Sequence, residues 1–506
     1  MTTRGDILPR DEHNTALLAN VHPAKWVNPE PAPAYNLAVL GGGPAGLSAA
    51  ATASALGAKV ALVERELLGG ECLNVGCIPS KLLIRSARAA YDAENAERFG
   101  VKTGNHVAIN FDAVMERMRK IRAAQSAGDA AAHFRDAHKV DVFFGEGAFS
   151  GPDAVVVDGR RIKFKKAIIA TGTRPNVPLI PGLAQAGFLT NETLFSLQKL
   201  PERLAIIGGG AIGCEMAQAF ARLGSRVKIL ESNARILSRE DSEAAQLVDD
   251  LFRREEIEIL TRVLVKDVTL YNTRRLLYLT WDGREEELEV DEILVGTGRV
   301  PNLEAMGLEN AEVDYSSAGI KVDEFLQTTN PDVYAAGDVA LDYKFTHMAH
   351  LSARVAVENA LLLGRRKMTD FAMPWVTFTD PEIAQLGITE REASESGMPV
   401  EVYKKEFRDL DRPVIDGDDQ GFVKVLVKKG TDKIAGATIV GRNAGEMINE
   451  LTLAMQAGLG LKQIAHVVHP FPTYAETIKA VADLYNHSTL RPAVKTLVSK
   501  WMEWIR

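Results

Sequence analysis

The order of apolar and polar segments along the chain predicts two strand–helix–strand units of the same type. In the first unit, the apolar run at residues 37–40 predicts a buried strand, and a glycine-rich turn and an alanine-rich helix follow it. A second apolar run, at residues 59–63, ends at Glu64. The same order returns later, where a strand predicted at residues 226–230 ends at Glu231. Two βαβ units of one type in one chain predict two nucleotide-binding sites.

The pattern changes from about Phe371 onwards. Alternating residues at 422–427 and 434–440 predict an antiparallel sheet, and residues 444–458 predict a helix. A loop at residues 469–476 follows that helix. This region is therefore predicted to form a separate α+β domain behind the α/β part of the chain.

Length and composition favour a soluble protein with several domains. A chain of 506 residues is too long for one hydrophobic core. The net charge of −8 argues against non-specific binding to nucleic acid, so no nucleic-acid partner is expected. No apolar run approaches the length of a membrane span, and the polar N-terminus lacks the apolar core of a secretory signal. We therefore expect a cytoplasmic protein, in a compartment where structural disulfides are rare.

Both units carry the glycine spacing of a dinucleotide-binding fingerprint. The glycines allow a tight turn and close approach to pyrophosphate, which rests on a helix N-terminus. Glu64 lies 18 residues after Gly46 (64 − 46), and Glu231 lies 18 after Gly213 (231 − 213), near the spacing expected of a ribose-binding acid. The cofactor-binding residues predicted in the two turns are Gly41, Gly43, Pro44, Ala45 and Gly46, and then Gly208, Gly210, Ile212 and Gly213.

The acid of the second unit also bears on which nicotinamide nucleotide binds. A carboxylate at Glu231 would hydrogen-bond a free 2′-hydroxyl and repel a 2′-phosphate. Ser232 follows it, where a basic residue would help to bind NADP. NAD(H) is therefore favoured over NADP(H), while Arg235 and Arg239 are close enough to leave the second cofactor open.

Two of the three cysteines, Cys72 and Cys77, lie five positions apart. Five residues of regular helix rise about 7.5 Å, whereas a disulfide needs Cα atoms within about 7 Å. The backbone between them must loop out or tighten, which Asn74 and Gly76 permit. Zinc would want more ligands than this pair supplies, so no metal site is predicted. In a reducing compartment the spacing indicates redox chemistry.

The segment at residues 69–81, which also contains Lys81, resembles the active-site motif of the class I pyridine nucleotide-disulfide oxidoreductases. These flavoproteins include dihydrolipoamide dehydrogenase, glutathione reductase and mercuric reductase, and the resemblance covers roughly residues 35–480. It implies an α/β fold with two Rossmann-like dinucleotide-binding domains, for FAD and NAD(P), and a C-terminal α+β dimerisation domain. It also implies a homodimer in which each active site needs the partner's C-terminal loop.

The resemblance assigns roles to single residues. Cys72 would be the interchange thiol that faces substrate, and Cys77 the charge-transfer thiol against the flavin. Lys81 would lie near flavin N5 and pair with Glu215, since a cation there stabilises the reduced flavin. The other cofactor-binding residues that it implies are Gly147, Thr171, Gly172, Gly298, Arg299, Gly337 and Asp338, the last on the ribityl chain of FAD.

The sequence departs from the family pattern near both ends of the site. Dihydrolipoamide dehydrogenase has a catalytic His–Glu pair in its C-terminal loop; here Glu476 remains, but Phe471 holds the histidine position. His469, two residues earlier, is either a replacement acid–base residue or a structural histidine. Glu71 stands where the family usually has threonine. Its carboxylate would disfavour a thiolate at Cys72, unless it faces solvent and has no effect.

These observations predict an FAD-dependent oxidoreductase that passes electrons between NAD(P)H and the Cys72–Cys77 pair and acts on a disulfide or dithiol substrate such as a lipoyl group. The alternatives are a metal-ion or quinone reductase of the mercuric reductase-like type, or an electron-transfer partner of a lipoylated carrier protein. No cysteine follows Cys214, so the C-terminal cysteine pair of mercuric reductase is missing. Cys214 itself is predicted to be a small buried residue.

The predicted domains are an N-terminal arm (1–34), an FAD-binding domain in two parts (35–187 and 302–370), an NAD(P)-binding domain (188–301), a dimerisation domain (371–480) and an amphipathic tail (481–506). In the tail, Pro492 predicts the start of a helix with one apolar stripe. We expect this stripe to pack on the subunit's own surface or on its dimer mate. Peripheral membrane contact through residues 492–506 is the alternative.

Overall fold

The structure is a computed structural model that describes residues 7–104, 107–362, 364–489 and 492–506. Residues 1–6 of the predicted arm and residues 490–491 of the predicted tail lie outside the described residues. The chain divides into a first unit, Met1–Ala234 with Glu255–Asp370, and a second unit, Arg235–Arg254 with Phe371–Arg506. Residues 235–254 of the predicted NAD(P)-binding domain therefore group with the second unit, and the domain boundaries stay predictions.

The helices and strands are numbered separately in chain order. The α-helices are α1 Glu12–Val21, α2 Pro44–Ala55, α3 Gly70–Val75, α4 Cys77–Glu94, α5 Phe111–Gln125, α6 Ala131–Asp136, α7 Leu183–Ala186, α8 Asn191–Leu194, α9 Ala211–Arg222, α10 Ser242–Arg254, α11 Thr346–Leu361, α12 Glu390–Glu395, α13 Asp411–Asp416, α14 Ala444–Gln456, α15 Leu461–Ala465, α16 Glu476–Thr489 and α17 Pro492–Trp504. The strands are β1 Tyr35–Leu40, β2 Val60–Glu64, β3 Asp141–Phe144, β4 Gly147–Gly151, β5 Ala154–Val157, β6 Arg160–Ile169, β7 Thr173–Pro175, β8 Arg203–Ile207, β9 Arg226–Glu231, β10 Glu258–Thr261, β11 Leu264–Tyr271, β12 Arg274–Trp281, β13 Arg284–Val290, β14 Glu292–Val295, β15 Arg299–Pro301, β16 Tyr315–Ser316, β17 Gly319–Ile320, β18 Val333–Ala335, β19 Pro374–Thr377, β20 Glu382–Gly387, β21 Val400–Glu406, β22 Phe422–Lys428 and β23 Ile434–Gly441.

The first unit contains a mixed sheet and a parallel sheet, built on the two predicted βαβ units; in the mixed sheet, β4, β5 and β6 pair antiparallel. One sheet has the strand order β3-β2-β1-β6-β5-β4, with β18 beside β6, and its β1 pairs with β2 in the register Leu37↔Val60. The other has the order β10-β9-β8-β14. In each βαβ unit the apolar first strand is buried and its helix, α2 or α9, follows a glycine turn. The carboxyl ends of β1 and β8 therefore carry the two fingerprints, as an open α/β sheet requires.

The N-terminal arm is more ordered than its sequence pattern indicates. Helix α1 packs on α5, and its Leu17 and Val21 are completely buried. Asp11 caps the helix, since its side chain accepts the backbone N–H of Asn14. The apolar periodicity of this short segment was too weak to predict a helix, because only one narrow face is covered.

The second unit contains the antiparallel sheet β19-β20-β23-β22-β21, which confirms the change of fold predicted beyond Phe371. The predicted strands at 422–427 and 434–440 are β22 and β23, and the predicted helix from 444 is α14. Helices α14 and α16 cover the sheet through buried residues such as Leu451 and Val481. Helix α10 joins this unit through Lys424, which is buried and pairs with Asp241 at 3.0 Å.

The predicted C-terminal helix is present as α17. Its described apolar side chains are exposed, with Leu497 at 69% and Trp501 at 55%. These described side chains are not covered by the chain's own surface, and packing on the dimer mate stays a prediction. Among the described residues, no helix is long and apolar enough to cross a membrane.

Candidate active site

The backbone between the two active-site cysteines breaks a helix. Helix α3 ends at Val75 and α4 begins at Cys77, and Gly76 between them has φ −134° and ψ −112°. A Cβ atom on Gly76 would lie 2.8 Å from the carbonyl oxygen of Glu71, so a larger residue would not fit. The chain thus loops out between Cys72 and Cys77, as their spacing predicts.

Thr346, the first residue of α11, links the two thiols. Its Oγ1 lies 3.2 Å from Cys72 Sγ and 3.3 Å from Cys77 Sγ. A hydrogen bond to Cys77, together with burial, raises the pKa of Cys72 well above its usual range, so this thiol stays protonated. The hydrogen bond from Cys72, with help from Thr346 and the nearby Lys81, lowers the pKa of Cys77 to about 6. The negative charge of the reduced pair therefore resides on Cys77.

Lys81 and Glu215 form the ion pair that the sequence predicts. Lys81 Nζ on α4 lies 2.7 Å from Glu215 Oε2 on α9, and the glutamate side chain is almost completely buried. The pair holds the cation on the same helix as Cys77, one turn further along.

Glu71 contacts Arg299 in strand β15. Its carboxylate forms an ion pair with Arg299, and Asn191 Nδ2 lies 3.4 Å from the same oxygen. Arg299 also donates to Thr173 Oγ1 at 2.7 Å, and the Thr173 hydroxyl lies 3.2 Å from Asp338. The alternative that Glu71 faces solvent and does nothing is therefore wrong, because a neighbouring arginine binds its charge.

The first fingerprint has the close packing that requires glycine. Gly41 has φ +106°, and a Cβ there would lie 2.3 Å from the carbonyl oxygen of Ala170. A Cβ on Gly46 would lie 1.7 Å from the carbonyl oxygen of Gly41. Gly43 caps helix α2, with Pro44 in its first turn, so the free backbone N–H groups of this helix end face the turn. These residues fit a pyrophosphate.

Gly337, from the second predicted FAD motif, lies against this turn. Gly337 has φ +76°, and a Cβ on it would lie 3.0 Å from the Cβ of Ala45. Asp338 follows on the same strand end, and burial raises the pKa of its carboxyl group. Glu64 is half-buried at the end of β2, and desolvation raises the pKa of its carboxyl group, while the carboxylate accepts the backbone N–H of Gly42 and Glu66.

The second fingerprint repeats this geometry. Gly208 has φ +107° and a Cβ there would lie 2.6 Å from Gly296 O, while a Cβ on Gly213 would lie 2.0 Å from Gly208 O. Space remains over Gly210, since nothing described lies within 4 Å of a Cβ built on it. Ile212, 40% exposed, follows on α9. The turn therefore leaves room above the helix end for a second nucleotide.

Glu231 and Arg235, the residues that bear on the choice of nucleotide, have different hydrogen-bond partners. Glu231 is buried and accepts the backbone N–H of Gly209 at 2.6 Å and of Asn233 at 2.7 Å. The Arg235 guanidinium donates to the backbone carbonyls of Leu237 at 2.7 Å and Glu240 at 2.9 Å. Its donors are thus engaged by its own loop.

The remaining cofactor positions predicted from the resemblance lie at strand ends or turns. Thr171 is held to Asn302 by two hydrogen bonds of 2.9 Å. The glycines at 172 and 298 have positive φ and open space on the side of the missing Cβ. A Cβ on Gly147 in β4 would lie 2.8 Å from the side chain of Val63. Their roles in binding stay predictions.

His469 and Glu476, the two candidate acid–base residues of the C-terminal loop, bind different partners. His469 Nε2 lies 3.0 Å from Glu450 on α14, and its Nδ1 lies 3.2 Å from the carbonyl oxygen of Val467. Glu476 accepts the backbone N–H of Thr473 at 3.1 Å, at the start of α16. Phe471, which stands at the family's histidine position, is 71% exposed. The side chain of His469, two residues before Phe471, therefore points towards α14.

Cys214 is a packing residue, and the described residues contain no candidate metal site. Cys214 is completely buried and its Sγ lies 3.4 Å from Gly209 O, which confirms the prediction of a small packing residue. Among the described residues, no group of three or more His, Cys, Asp or Glu side chains is placed to hold a metal ion.

Comparison with known proteins places the chain in a family. Residues 35–354 match the model of the pyridine nucleotide-disulphide oxidoreductases, and residues 373–482 match the dimerisation domain of the same family. The chain belongs to this family. It is therefore a flavoprotein oxidoreductase that uses FAD and a nicotinamide nucleotide, with two Rossmann-like domains and a C-terminal dimerisation domain.

Members of this family with different substrates are similarly close. The chain is 34% identical to a mercuric reductase of Staphylococcus aureus over 88% of this chain and 82% of that protein. It is 35% identical to a dihydrolipoyl dehydrogenase of Mycoplasma pneumoniae over 90% of this chain and 99% of that protein. The HOCl-induced flavoprotein disulfide reductase RclA of Escherichia coli superposes with a TM-score of 0.79 at 28% identity, over 89% of this chain and 100% of RclA. A Cu(II) complex of RclA gives the same TM-score. Family membership therefore leaves the substrate open.

The geometry adds residues that the sequence pattern did not predict. Thr346 reaches both thiols from a helix far along the chain. Arg122 donates to the backbone carbonyl oxygen of Asn74 between the thiols, and Asn14 accepts a second hydrogen bond from Arg122. Only the position of Thr346, shortly after the second FAD motif at the start of a helix, offers a sequence signal.

Proposed function

We propose that this protein is an NADH-dependent reductase that passes electrons to the Cys72–Cys77 disulfide and from there to a disulfide substrate such as a lipoyl group. The polarised thiol pair carries the proposal, because one thiol stays protonated while the other holds the charge. Bound FAD supplies the two-electron relay between the nicotinamide and this pair. The reverse reaction, oxidation of a dithiol, is equally allowed by thermodynamics.

Each residue of the site then has one task. Cys77 would present its thiolate to bound FAD, with Lys81 and the Cys72 thiol stabilising its charge. Cys72 is the thiol that exchanges with substrate, after loss of its proton. Glu231 selects NADH, since its buried carboxylate would repel a 2′-phosphate and Arg235 is engaged by backbone carbonyls.

A homodimer would complete the site, as in the family, with the C-terminal loop of the partner subunit. Reduction of a disulfide substrate needs a proton donor, because cleavage of the substrate disulfide releases a thiolate that must gain a proton. In this chain both nitrogens of His469 have partners, and Glu476 binds backbone. If His469 acts, Glu450 is the residue that orients it.

A soft metal ion is the second candidate substrate. A thiol–thiolate pair is the ligand set that soft metal ions prefer, and reduction of such an ion needs electrons but no proton. The similarity to mercuric reductase and to RclA, of which a Cu(II) complex has been solved, favours this candidate. A quinone that reacts directly with the flavin would not need the cysteines.

Steady-state assays with NADH separate these functions. The acceptors are free lipoamide, a lipoylated carrier protein, a quinone, and mercuric or cupric ion. We expect turnover with lipoamide or a lipoylated protein that Cys72→Ser and Cys77→Ser both abolish. Cysteine-dependent turnover with metal ions alone would favour the second candidate, and a quinone activity that survives both substitutions would contradict the proposal.

A further inference from the structure

The N-terminal segment at residues 7–21 reaches the active-site loop through one buried hydrogen-bond relay. The family model begins at residue 35, so this segment lies outside the part of the chain that the family shares. Asn14 on helix α1 is 1% exposed and Arg122 on α5 is 1% exposed. The relay ends on Asn74, which lies between Cys72 and Cys77 and is 3% exposed.

Arg122 is the centre of this relay. Its NH2 group donates to Asn14 Oδ1 at 2.7 Å, and its NH1 group donates to the backbone carbonyl oxygen of Asn74 at 2.6 Å. Burial lowers the pKa of Arg122 to about 10, so it remains a cation at neutral pH. Hydrogen bonds from a charged donor are shorter and stronger than neutral ones, and these two have such lengths.

The two ends of the relay are themselves fixed. Asn14 Nδ2 donates to the carbonyl oxygen of Pro9 at 2.7 Å. Asn74 Nδ2 donates to the carbonyl oxygens of Leu68 at 3.0 Å and Gly70 at 2.8 Å. The Asn74 backbone therefore has little freedom to move, and neither side chain can turn away without breaking a second hydrogen bond.

The segment is also docked by contacts that do not belong to the relay. Asp11 pairs with Arg119 on α5, and Asn20 Nδ2 donates to Ser126 Oγ at 2.9 Å. The backbone N–H of Leu68 donates to Val21 O at 3.1 Å. These contacts hold α1 in place and supply a control, because Asn20 docks the same helix without touching the loop between the cysteines.

We propose that Asn14 and Arg122 are positioning residues that hold the Cys72–Cys77 loop in the conformation in which both sulfurs lie within 3.3 Å of Thr346 Oγ1. The inference rests on the proposed redox role of this pair. A loop held in one conformation keeps the two thiols close, which favours the disulfide over the dithiol. Loosening the loop gives the dithiol more freedom, so the disulfide becomes easier to reduce and Cys72 more accessible.

The test compares Asn14→Ala, Arg122→Lys and Asn14→Asp with the control Asn20→Ala in the full-length protein with FAD bound. Asn14→Ala removes the acceptor, Arg122→Lys can reach only one of the two acceptors, and Asn14→Asp keeps an acceptor oxygen. Each protein is equilibrated without oxygen in mixtures of reduced and oxidised dithiothreitol, and free thiols are trapped by alkylation. The melting temperature of each variant reports the loss of docking separately.

Asn14→Ala and Arg122→Lys should shift the dithiol–disulfide equilibrium towards dithiol by about tenfold, which is about 30 mV for a two-electron couple. The dithiol–disulfide equilibrium of Asn14→Asp should lie near the wild-type value, because the acceptor oxygen is kept. Asn20→Ala should lower the melting temperature about as much as Asn14→Ala but leave the equilibrium unchanged.

An unchanged equilibrium in Asn14→Ala and Arg122→Lys would overturn the inference. So would an equal shift in Asn20→Ala, because docking alone would then explain it. A wild-type protein whose Cys72 and Cys77 never form a disulfide would instead contradict the proposed function, and this result is visible before any variant is made.

Discussion

Glu64 and Glu231 occupy equivalent places in the two βαβ units and make the same contact. Glu64 accepts the backbone N–H of Gly42 at 2.5 Å, and Glu231 accepts that of Gly209 at 2.6 Å. Each acid thus holds the glycine turn of its own fingerprint in place. Carboxylate oxygens can accept more than one hydrogen bond, so the same groups remain able to bind ribose hydroxyls.

The first prediction concerns the choice of nicotinamide nucleotide. NADH should reduce the flavin more efficiently than NADPH, and Glu231→Gln should narrow this preference by about tenfold or more, because the amide no longer repels a 2′-phosphate. The measurement is the rate constant of flavin reduction divided by the dissociation constant for each nucleotide. Glu64→Gln is the matched control and should leave the ratio unchanged. A wild type that prefers NADPH would show that Arg235 or Arg239 binds the phosphate.

The second prediction concerns the ion pair between Glu71 and Arg299. Arg299→Met should leave the Glu71 carboxylate without its counter-charge beside Cys72, which raises the pKa of that thiol. Alkylation of Cys72 in the reduced protein should then slow by about tenfold for each unit of pKa.

Adding Glu71→Gln to Arg299→Met should restore most of the rate, as expected of two residues in contact. Arg174→Met removes an ion pair with Glu304 on the neighbouring strand and serves as a control that should not slow alkylation. If the double variant is as slow as Arg299→Met, then Arg299 acts on Cys72 by another route.

The third prediction concerns His469 and Glu450. If this pair provides acid–base catalysis, His469→Ala should lower turnover with a disulfide substrate by about 100-fold or more, and flavin reduction by NADH should be nearly unchanged. Glu450→Gln should give a smaller loss, because the histidine remains. Wild-type turnover in His469→Ala would show that the substrate needs no proton from this residue, which is the behaviour expected with a metal ion.

The fourth prediction concerns the exposed stripe on α17, which we expect to pack on the partner subunit. Replacement of Leu497 and Trp501 by serine should raise the dissociation constant of the dimer by about tenfold or more, since both are largely exposed on the single chain. Analytical ultracentrifugation measures this constant, and Lys500→Ser is the matched control on the same helix. Salt-sensitive binding to anionic vesicles, lost on deletion of residues 492–506, would indicate a membrane surface instead.

Local features were predictable from the sequence because their causes are local. The glycines at Gly41 and Gly46 mark the close backbone approaches of the first turn, and Gly76 marks the break between the cysteines. The pair Lys81–Glu215 followed from the family resemblance. The contacts of Thr346 and Arg122 with the cysteine loop could not be predicted, because they join segments that are distant in the chain. The contact of His469 with Glu450 could not be predicted either, because a loop of two prolines fixes side-chain directions that spacing alone does not show.

The central claim is that Cys77 is the thiolate that faces the flavin, and that Cys72 is the thiol that donates a hydrogen bond to this thiolate. Reduction of the wild type by two electrons should therefore give a long-wavelength charge-transfer band. The intensity of this band should rise with pH around a midpoint near 6, which is the pKa of Cys77. An ordinary thiol would instead give a midpoint near its usual pKa of about 8.5. Cys72→Ser should show the band without reductant, since a hydroxyl can still donate to the thiolate, and Cys77→Ser should show none. Absence of the band from both the reduced wild type and Cys72→Ser, at a pH well above the midpoint, would contradict this assignment.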